Sequence, residues 1–444
     1  MIIAEMHSCL FPVFLLVYFS LYAANGFLLT PERSVAEDVA SGLHKPYRRA
    51  PDDPKKPSNP IVFIPGDGGS RLQANLTGRS ETPHYACYKT TADFYDLWLN
   101  LEQFVPVTID CWADNMRLLF NNRTNLSENN EGVDIRVPGF GNTDTVEWLD
   151  ASKRSPGLYF ASIADALASW GYTRGKNIVG APYDWRRAPH ELNDYYLMLQ
   201  TLIEMLHRYN GNQKVVILAH SMGNPVMNFF YHRYVDQSWK DKYIQAHISL
   251  AGAWGGSMQI VKLFASGYNM DYYRVILPPS SLRPMQRSFT SSAFLFPSYR
   301  LWTNDELLAI TNDKNYTLSN IVEFFQDIDY TGGITQYGLT KDTLILDPPG
   351  VQVHCMYGTE VQTPEQFVWS KGYFPDYQPK IIYGTGDGTV NKRSLETCTQ
   401  WNSSNNAGKP VETYEINGAD HMAILKDKRT IDYIRAILYG KISK

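Results

Sequence analysis

The chain has 444 residues, of which 44% are apolar and 19% are charged, and its formal net charge is -4 at pH 7. These values are typical of a globular protein and offer no electrostatic basis for binding nucleic acid. The length exceeds that of a simple α/β core, and an aromatic content of 13% favours apolar clefts or contact with a membrane interface.

The N-terminal region has the character of a secretory signal. Residues Cys9 to Leu29 carry no charge, are rich in Leu, Val, Phe and Tyr, and include small residues before position 26, although Glu5 stands where a basic residue is usual. We predict a cleaved signal peptide over residues 1–26, followed by a flexible leader over residues 27–60. The alternative is an uncleaved anchor, because about 21 uncharged residues can span a bilayer.

Two further features agree with entry into the secretory pathway. Five Asn-x-Ser/Thr sequences predict N-glycosylation, at Asn75, Asn122, Asn125, Asn315 and Asn402. Outside the signal, four cysteines permit two disulfides in an oxidising compartment: Cys87, Cys111, Cys355 and Cys398. Pairing Cys87 with Cys111 would close a loop of roughly 25 residues, worth about 3 kcal/mol by chain entropy. No Cys-x-x-Cys or His-Glu-x-x-His spacing supports a metal, and no cofactor is predicted.

The first predicted strand, Ile61 to Ile64, is followed by the glycine-rich run Pro65 to Gly69. This run lacks the spacing of phosphate-binding loops. In acyl-transfer enzymes, a loop after an early strand supplies one of two backbone N–H donors that stabilise the oxyanion of the tetrahedral intermediate. We therefore predict that Asp67 supplies such a donor.

Apolar residues recur at three- and four-residue spacing between Cys87 and Cys111, at Phe94, Leu97, Trp98, Leu101 and Val105. The spacing predicts a short helix with one apolar face. Such a face usually packs in a core, but an excursion over residues 87–111 is expected at the periphery, where Trp and Phe can enter a lipid surface. We predict membrane contact by Phe94, Leu97, Trp98 and Leu101.

The chain from Asp134 onward alternates predicted strands and helices, as a mostly parallel sheet requires. The buried strand Val215 to Leu218 leads into Ala219-His220-Ser221-Met222-Gly223. This run has the pattern of a nucleophile elbow, Gly-x-Ser-x-Gly, with alanine in place of the first glycine. Ser221 is the predicted nucleophile, and the N–H of Met222 is the predicted second oxyanion donor.

A serine nucleophile needs a base and an acidic partner for that base. In α/β-hydrolases the acid and then the histidine follow the serine along the chain. Asp387 lies in a glycine-rich loop after a predicted strand at 379–383, and His421 follows a predicted strand at 412–416. We predict the catalytic triad Ser221, Asp387 and His421.

Other acids and histidines fit this order less well. Asp420 adjoins His421 and would have to fold back to reach its ring, and Asp376 precedes the predicted strand. His220 lies beside the serine on a sharp turn, where neighbouring side chains diverge. Three further histidines precede Asp387 and are predicted to be structural: His232, His247 and His354.

The interval from Ser221 to Asp387, about 165 residues, is longer than a few strand–helix pairs need. We predict a cap or lid over about residues 257–359. Within it, residues 289–297 and 324–325 contain several phenylalanines and are predicted to line an acyl cleft.

Eight separated motifs resemble the lecithin:cholesterol acyltransferase family, most closely its lysosomal phospholipase branch, over about residues 60 to 440. They are Phe63 to Asp67, Trp98 to Asn100, Asp110 to Trp112, Arg136 to Gly141, Gly180 to Arg187, Ala219 to Asn224, Phe324 to Asp327 and Gly386 to Asn391. Ala253 departs from the family pattern, which usually has proline there.

The resemblance implies an α/β-hydrolase fold with a cap and a small, disulfide-closed membrane-binding subdomain. It implies the same triad, oxyanion donors from Asp67 and Met222, and a disulfide between Cys87 and Cys111, with the second pair, Cys355 and Cys398, left open. The implied chemistry is calcium-independent transfer of a fatty acyl group from a glycerophospholipid, at a membrane or lipoprotein surface, to water, ceramide or a sterol. The implied location is the lysosomal lumen or the extracellular space.

A different class of function also uses this fold, because some α/β-hydrolase domains are catalytically silent binding modules. An intact triad argues against that reading. Nothing in residue spacing identifies the acyl acceptor.

Overall fold

The computed structural model describes residues 56–153, 157–269 and 278–440. The predicted signal peptide and most of the predicted leader lie outside these ranges. None of the helices within them has the length and apolar character needed to cross a membrane.

The strands, in chain order, are β1 Ile61–Ile64, β2 Leu72–Leu76, β3 Tyr95–Trp98, β4 Leu118–Asn121, β5 Leu126–Asn129, β6 Val133–Arg136, β7 Ile178–Gly180, β8 Val215–His220, β9 Ile244–Leu250, β10 Ala309–Ile310, β11 Asn315–Tyr316, β12 Val353–Thr359, β13 Val361–Val368, β14 Lys380–Gly386 and β15 Val411–Asn417.

The α-helices are Ile109–Met116, Asp144–Glu147, Ala161–Ser169, Asn193–Tyr209, Gly223–Arg233, Gln237–Tyr243, Gln259–Ser266, Pro279–Ser288, Thr290–Phe294, Ile321–Asp327, Gly332–Thr340, Lys392–Leu395 and Lys428–Tyr439. Short 3₁₀ helices cover Leu101–Phe104, Pro189–Glu191, Leu318–Asn320, Glu396–Gln400 and Ala423–Leu425.

Six strands form a central sheet in the order β15-β12-β9-β8-β1-β7. Every neighbouring pair is parallel. The apolar runs of β1 and β8 are buried at every residue, as expected for parallel strands covered by helices. This architecture confirms the predicted α/β-hydrolase fold.

The order of the strands brings the predicted site together. In β1 and β8, which are neighbours, Ile64 lies opposite Ala219, so the loop after β1 and the turn after β8 emerge side by side at the carboxyl edge of the sheet. β15, at the far edge, leads into the loop that carries His421.

The predicted cap boundary at residue 359 is wrong, because β12 lies in the central sheet between β9 and β15. The insertion after β9 supplies β10 and β11, and the segment after β12 supplies β13 and β14, to a second sheet in the order β11-β10-β13-β14. β14 contains the strand predicted at 379–383, but it pairs antiparallel with β13. β14 ends beside the start of β13, where Val361 and Asp387 form a bridge.

The aromatic residues predicted to line an acyl cleft form a core of this insertion. Phe324 and Phe325 are completely buried, and Phe296 is 2% exposed. Their rings pack on one another, with centroids 5.5 Å apart for Phe324 and Phe325 and 5.8 Å apart for Phe296 and Phe325. The cleft interpretation is therefore wrong for these side chains, because their neighbours are each other.

The helix predicted from Phe94 to Val105 is absent. Residues Tyr95–Trp98 are strand β3, which pairs antiparallel with β2, and a single 3₁₀ turn follows. The predicted membrane contact of Leu97 is wrong, because its side chain is completely buried. The predicted excursion is nevertheless closed by a disulfide between Cys87 and Cys111, and a second disulfide joins Cys355 to Cys398.

The other surface predictions remain predictions. Four of the glycosylation acceptors are exposed, namely Asn122, Asn125, Asn315 and Asn402, whereas Asn75 is half-buried in β2. In the excursion, Leu101 is 36% exposed, and Phe94 lies half-buried beneath the guanidinium of Arg136, 4.1 Å from the ring centroid.

Candidate active site

Ser221 occupies a sharp turn between β8 and the helix Gly223–Arg233. Its φ of +53° lies in the left-handed region that non-glycine residues rarely adopt. The turn depends on two glycines. A Cβ at Gly66 would lie 2.7 Å from the Cβ of Ser221, and one at Gly223 would lie 2.5 Å from the carbonyl oxygen of Pro65. The crowded contacts explain why glycine occupies both positions. Ala219, where the elbow pattern usually has its first glycine, also carries only a small side chain.

The structure brings Ser221, His421 and Asp387 into a hydrogen-bonded series. Nε2 of His421 lies 2.9 Å from Oγ of Ser221, and Nδ1 lies 2.6 Å from Oδ2 of Asp387. The other carboxylate oxygen of Asp387 accepts hydrogen bonds from the N–H groups of Thr389 and Val390. Asp387 is completely buried and His421 is 6% exposed, so these contacts are shielded from water.

The surroundings of His421 suit a general base. Burial lowers its pKa, but the charge and hydrogen bond of Asp387, with a contribution from Asp420, outweigh that effect and raise the pKa above its ordinary value. A raised pKa means that the imidazole accepts a proton more readily. The geometry can therefore activate the Ser221 hydroxyl for attack on an acyl carbonyl.

The loop after β1 is held by three buried or half-buried aromatic side chains. The Tyr159 hydroxyl accepts a hydrogen bond from the N–H of Gly66 at 2.9 Å. The Tyr183 hydroxyl donates to the carbonyl of Pro65 at 2.9 Å, and Nε1 of Trp98 donates to the carbonyl of Gly68 at 2.7 Å. Trp98, predicted to contact a membrane, thus supports this loop, and its ring packs on Trp185 at 5.3 Å between centroids.

Two backbone N–H groups beside the nucleophile are candidates for binding an oxyanion. They belong to Asp67 and Met222, and neither has an acceptor among the described residues. Asp67 is exposed at the surface, but the protein around its carboxyl desolvates that group and raises its pKa to about 7, against the opposing effect of a hydrogen bond with the backbone of Gly68. A negative charge is therefore unfavourable at this position until the pH exceeds about 7.

The competing acids do not contact the His421 ring. The carboxylate of Asp420 accepts hydrogen bonds from the N–H groups of Met422 and Ala423, and Asp376 pairs with Arg283 at 2.8 Å. The three histidines predicted to be structural have other partners: His232 near the carbonyl of Asp347, His247 with Asn224 and His354 with Gln352.

Two residues at the site were missed by the sequence reasoning. His220 contacts Tyr159 and the main chain of His421, and Tyr159 contacts the loop after β1. The only signal for His220 was its position beside the serine in a buried strand. Tyr159 comes from a different part of the chain, and no local pattern identifies it.

A group with metal-ligand geometry among the described residues contains His84, Cys87 and Cys111. Both cysteines are joined in a disulfide, so their sulfurs are not available as thiolate ligands. The group offers a metal ion only the imidazole of His84.

Comparison with known proteins places these features in context. A profile of the lecithin:cholesterol acyltransferases matches residues 94–343 and 334–428. The lysosomal phospholipase A and acyltransferase of Rattus norvegicus is 43% identical over 384 residues, covering 85% of this chain and 90% of that protein. The protein of the same name from Homo sapiens is 42% identical, covering 87% and 93%. The phosphatidylcholine-sterol acyltransferase of Gallus gallus is 36% identical, covering 91% and 96%.

Proposed function

The chain belongs to the lecithin:cholesterol acyltransferase family, and from this membership we propose that it is a calcium-independent phospholipase A and lipid O-acyltransferase with Ser221 as its nucleophile. The observation that carries the proposal is the series Ser221, His421 and Asp387, with contacts of 2.9 and 2.6 Å. A catalytically silent binding module has no need of this buried arrangement.

In the first half of the proposed reaction, the acyl group moves to the enzyme. Nε2 of His421 takes the proton of the Ser221 hydroxyl as Oγ attacks the ester carbonyl of a glycerophospholipid. The N–H groups of Asp67 and Met222 stabilise the oxyanion of the tetrahedral intermediate. His421 then gives its proton to the departing oxygen, which releases a lysophospholipid and leaves the acyl group on Oγ.

In the second half, water or a lipid alcohol accepts the acyl group. His421 takes the acceptor's proton as its oxygen attacks the acyl-enzyme, and returns that proton to Oγ when the ester breaks. Asp387 stabilises the imidazolium in both halves. We propose ceramide as the lipid acceptor, as the resemblance to the lysosomal phospholipase branch of the family implies. A sterol is the second candidate, favoured by relatives named phosphatidylcholine-sterol acyltransferase.

The proposed place of action is a glycerophospholipid membrane or a lipoprotein surface, reached through the secretory pathway in the lysosomal lumen or outside the cell. Two features support it. The names of the relatives include a lysosomal enzyme, and the disulfide-closed excursion exposes apolar side chains, with Leu101 at 36% and Val107 at 61% exposure. We propose that this tip, formed by Leu101 and Val107, contacts lipid.

The test incubates purified protein, without calcium, with phosphatidylcholine liposomes that contain both ceramide and cholesterol, at acidic and at neutral pH. Acylceramide and free fatty acid are the expected products. If cholesteryl ester is the main product, the acceptor is a sterol and not ceramide. The matched Ser221→Ala variant should fold normally and form neither product, and turnover equal to that of the wild type would remove the proposed nucleophile.

A further inference from the structure

We propose that His220 and Tyr159 are positioning residues that hold the base of the triad through a chain of hydrogen bonds running from His421 to the loop after β1. The inference rests on the proposed function and deepens it, because it assigns a role to the residue beside the nucleophile.

The chain of hydrogen bonds has three links. Nε2 of His220 lies 2.9 Å from the carbonyl oxygen of His421, and Nδ1 of His220 lies 2.6 Å from the hydroxyl oxygen of Tyr159. That oxygen lies 2.9 Å from the backbone nitrogen of Gly66. Three segments far apart in sequence are therefore joined beside Ser221.

The direction of each hydrogen bond follows from the chemistry of the groups. A carbonyl oxygen can only accept, so Nε2 of His220 must carry the hydrogen. In a neutral ring, Nδ1 then holds a lone pair and accepts the hydroxyl hydrogen of Tyr159. The Tyr159 oxygen in turn accepts from the N–H of Gly66. Each donor in this series of hydrogen bonds, on His220, Tyr159 and Gly66, therefore has an acceptor.

The buried surroundings keep the His220 ring neutral and its hydrogen bonds in place. His220 is 1% exposed and Tyr159 is 2% exposed, so water does not compete for their polar atoms. Burial, together with the nearby positive form of His421, lowers the pKa of His220 well below its ordinary value, despite the hydrogen bond to the main chain of His421. The ring of His220 therefore stays neutral when His421 takes up a proton.

The hydrogen bond from His220 holds a main-chain group of His421 that Asp387 does not hold. The N–H of His421 donates to the carbonyl of Asp387 at 2.9 Å, and the carbonyl of His421 accepts from His220. Both main-chain groups of the base are thus held, while Asp387 holds the ring. Because reacting groups must be placed to within a fraction of an ångström, losing one of these supports should slow the chemical step.

The opposite interpretation is that His220 and Tyr159 form a buried pair of purely structural importance. The protein provides a matched control, since Tyr231 and His247 form a second buried pair with 3.4 Å between the Tyr231 hydroxyl and Nδ1 of His247. The Tyr231 hydroxyl contacts neither His421 nor the loop after β1. Tyr231→Phe therefore removes another buried tyrosine hydroxyl next to a histidine, one with a longer contact, and leaves the proposed chain of hydrogen bonds intact.

The experiment compares His220→Gln, His220→Asn, Tyr159→Phe and Tyr231→Phe in the full-length protein. The amide nitrogen of Gln can occupy the place of Nε2 and keep the hydrogen bond to His421, whereas that of Asn lies near Nδ1 and cannot. We expect His220→Asn to lower kcat about tenfold or more with KM nearly unchanged, His220→Gln to stay within about threefold of the wild type, and Tyr159→Phe to fall between them. Tyr231→Phe should match the wild type.

Two further measurements keep the outcome decisive. The melting temperature and near-UV circular dichroism show whether each variant folds, and the rate at which an alkyl phosphonate labels Ser221 reports activation of the nucleophile without lipid turnover. Slower labelling of folded His220→Asn, restored in His220→Gln, supports the proposal. Equal labelling rates, a change confined to KM, or the same loss in Tyr231→Phe would overturn it.

The proposed function and this inference can fail separately. A wild type without lipid turnover contradicts the proposed function, while the labelling rates still test the chain of hydrogen bonds. Normal turnover by the wild type and by all four variants contradicts only the inference.

Discussion

Gly66 shows how a single hydrogen atom in place of a side chain shapes the site. A Cβ at this position would lie 2.7 Å from the Cβ of Ser221, 3.0 Å from the carbonyl oxygen of His220 and 3.2 Å from the Tyr159 hydroxyl. Two of these neighbours cannot move without displacing the nucleophile. The glycine is required by this close approach of two loops at the sheet edge.

We expect Gly66→Ala to reduce kcat by about 100-fold, because displacing the nucleophile from its partners has costs of that order. The control is Gly338→Ala in the helix Gly332–Thr340, where a Cβ would meet nothing within 4 Å. That change should leave activity intact and raise the free energy of unfolding by about 0.5–1 kcal/mol. Activity of Gly66→Ala equal to that of Gly338→Ala would contradict the crowding argument.

A second prediction at this scale concerns the pH dependence of activity. The Asp67 carboxyl, with a pKa of about 7, is neutral below that pH and negatively charged above it. The charge would oppose the oxyanion, so activity should fall as the pH rises through about 7. At the acidic end, activity should fall as His421 becomes protonated, and this fall begins at a higher pH than for an ordinary histidine because its pKa is raised.

Asp67→Asn keeps the backbone N–H and removes the carboxyl. We expect kcat/KM of this variant to lose the decline above about pH 7 while keeping the acidic decline. Asp305→Asn, at an exposed position of the insertion, serves as the control and should reproduce the wild-type profile. An unchanged alkaline limb in Asp67→Asn would show that the carboxyl does not govern it.

At the scale of elements, the excursion between Cys87 and Cys111 is closed by a disulfide, but its secondary structure differs from the predicted helix. The spacing of its apolar residues predicts a helix, but β3 pairs with β2, and the Trp112 side chain donates a hydrogen bond to the carbonyl of Leu97. Pairing with a neighbouring strand outweighs local periodicity in so short a segment. Trp98 is consequently directed at the loop after β1.

Removing the disulfide of the excursion with Cys87→Ser and Cys111→Ser should lower the free energy of unfolding by about 3 kcal/mol, as expected for a loop of this length. It should also open residues 88–110 to limited proteolysis. The control pair, Cys355→Ser with Cys398→Ser, removes a disulfide anchored in β12. We expect it to destabilise the protein without new cleavage in 88–110, and the same cleavage pattern in both variants would contradict a local role.

At the scale of the whole molecule, a lipid enzyme must bring its site to an interface as well as perform the chemistry. The proposed contact is the tip formed by Leu101 and Val107. Transfer of exposed apolar side chains into lipid is favourable in proportion to the area removed from water. The site itself lies at the ends of β1, β8, β14 and β15 and includes neither residue of that tip.

We therefore expect Leu101→Ser combined with Val107→Ser to lower activity on liposomes about tenfold, from the apolar area lost, while hydrolysis of a soluble short-chain ester stays unchanged. Leu197→Ser is the control, since Leu197 is 57% exposed on the helix Asn193–Tyr209. Liposome sedimentation measures binding directly. A parallel loss on both substrates would place the effect on the chemistry and not on the interface.

The amino-acid order alone determined the fold class, the elbow at Ser221 and the order of the residues that meet it. These features are local, because a buried apolar run, a glycine beside a serine and a turn after a strand are written in neighbouring residues. The sequence also indicated Asp387 and His421. Each lies in a loop shortly after a strand, and the end of the strand limits where the side chain can be placed.

Tertiary structure alone decided which sheet holds each strand. β12 belongs to the central sheet and β14 to the second, although both look like strands in the sequence. The contacts of His220 with Tyr159 and of Trp98 with Gly68 join residues 61 and 30 positions apart. Such contacts depend on how separate segments pack, and no periodicity along the chain records them.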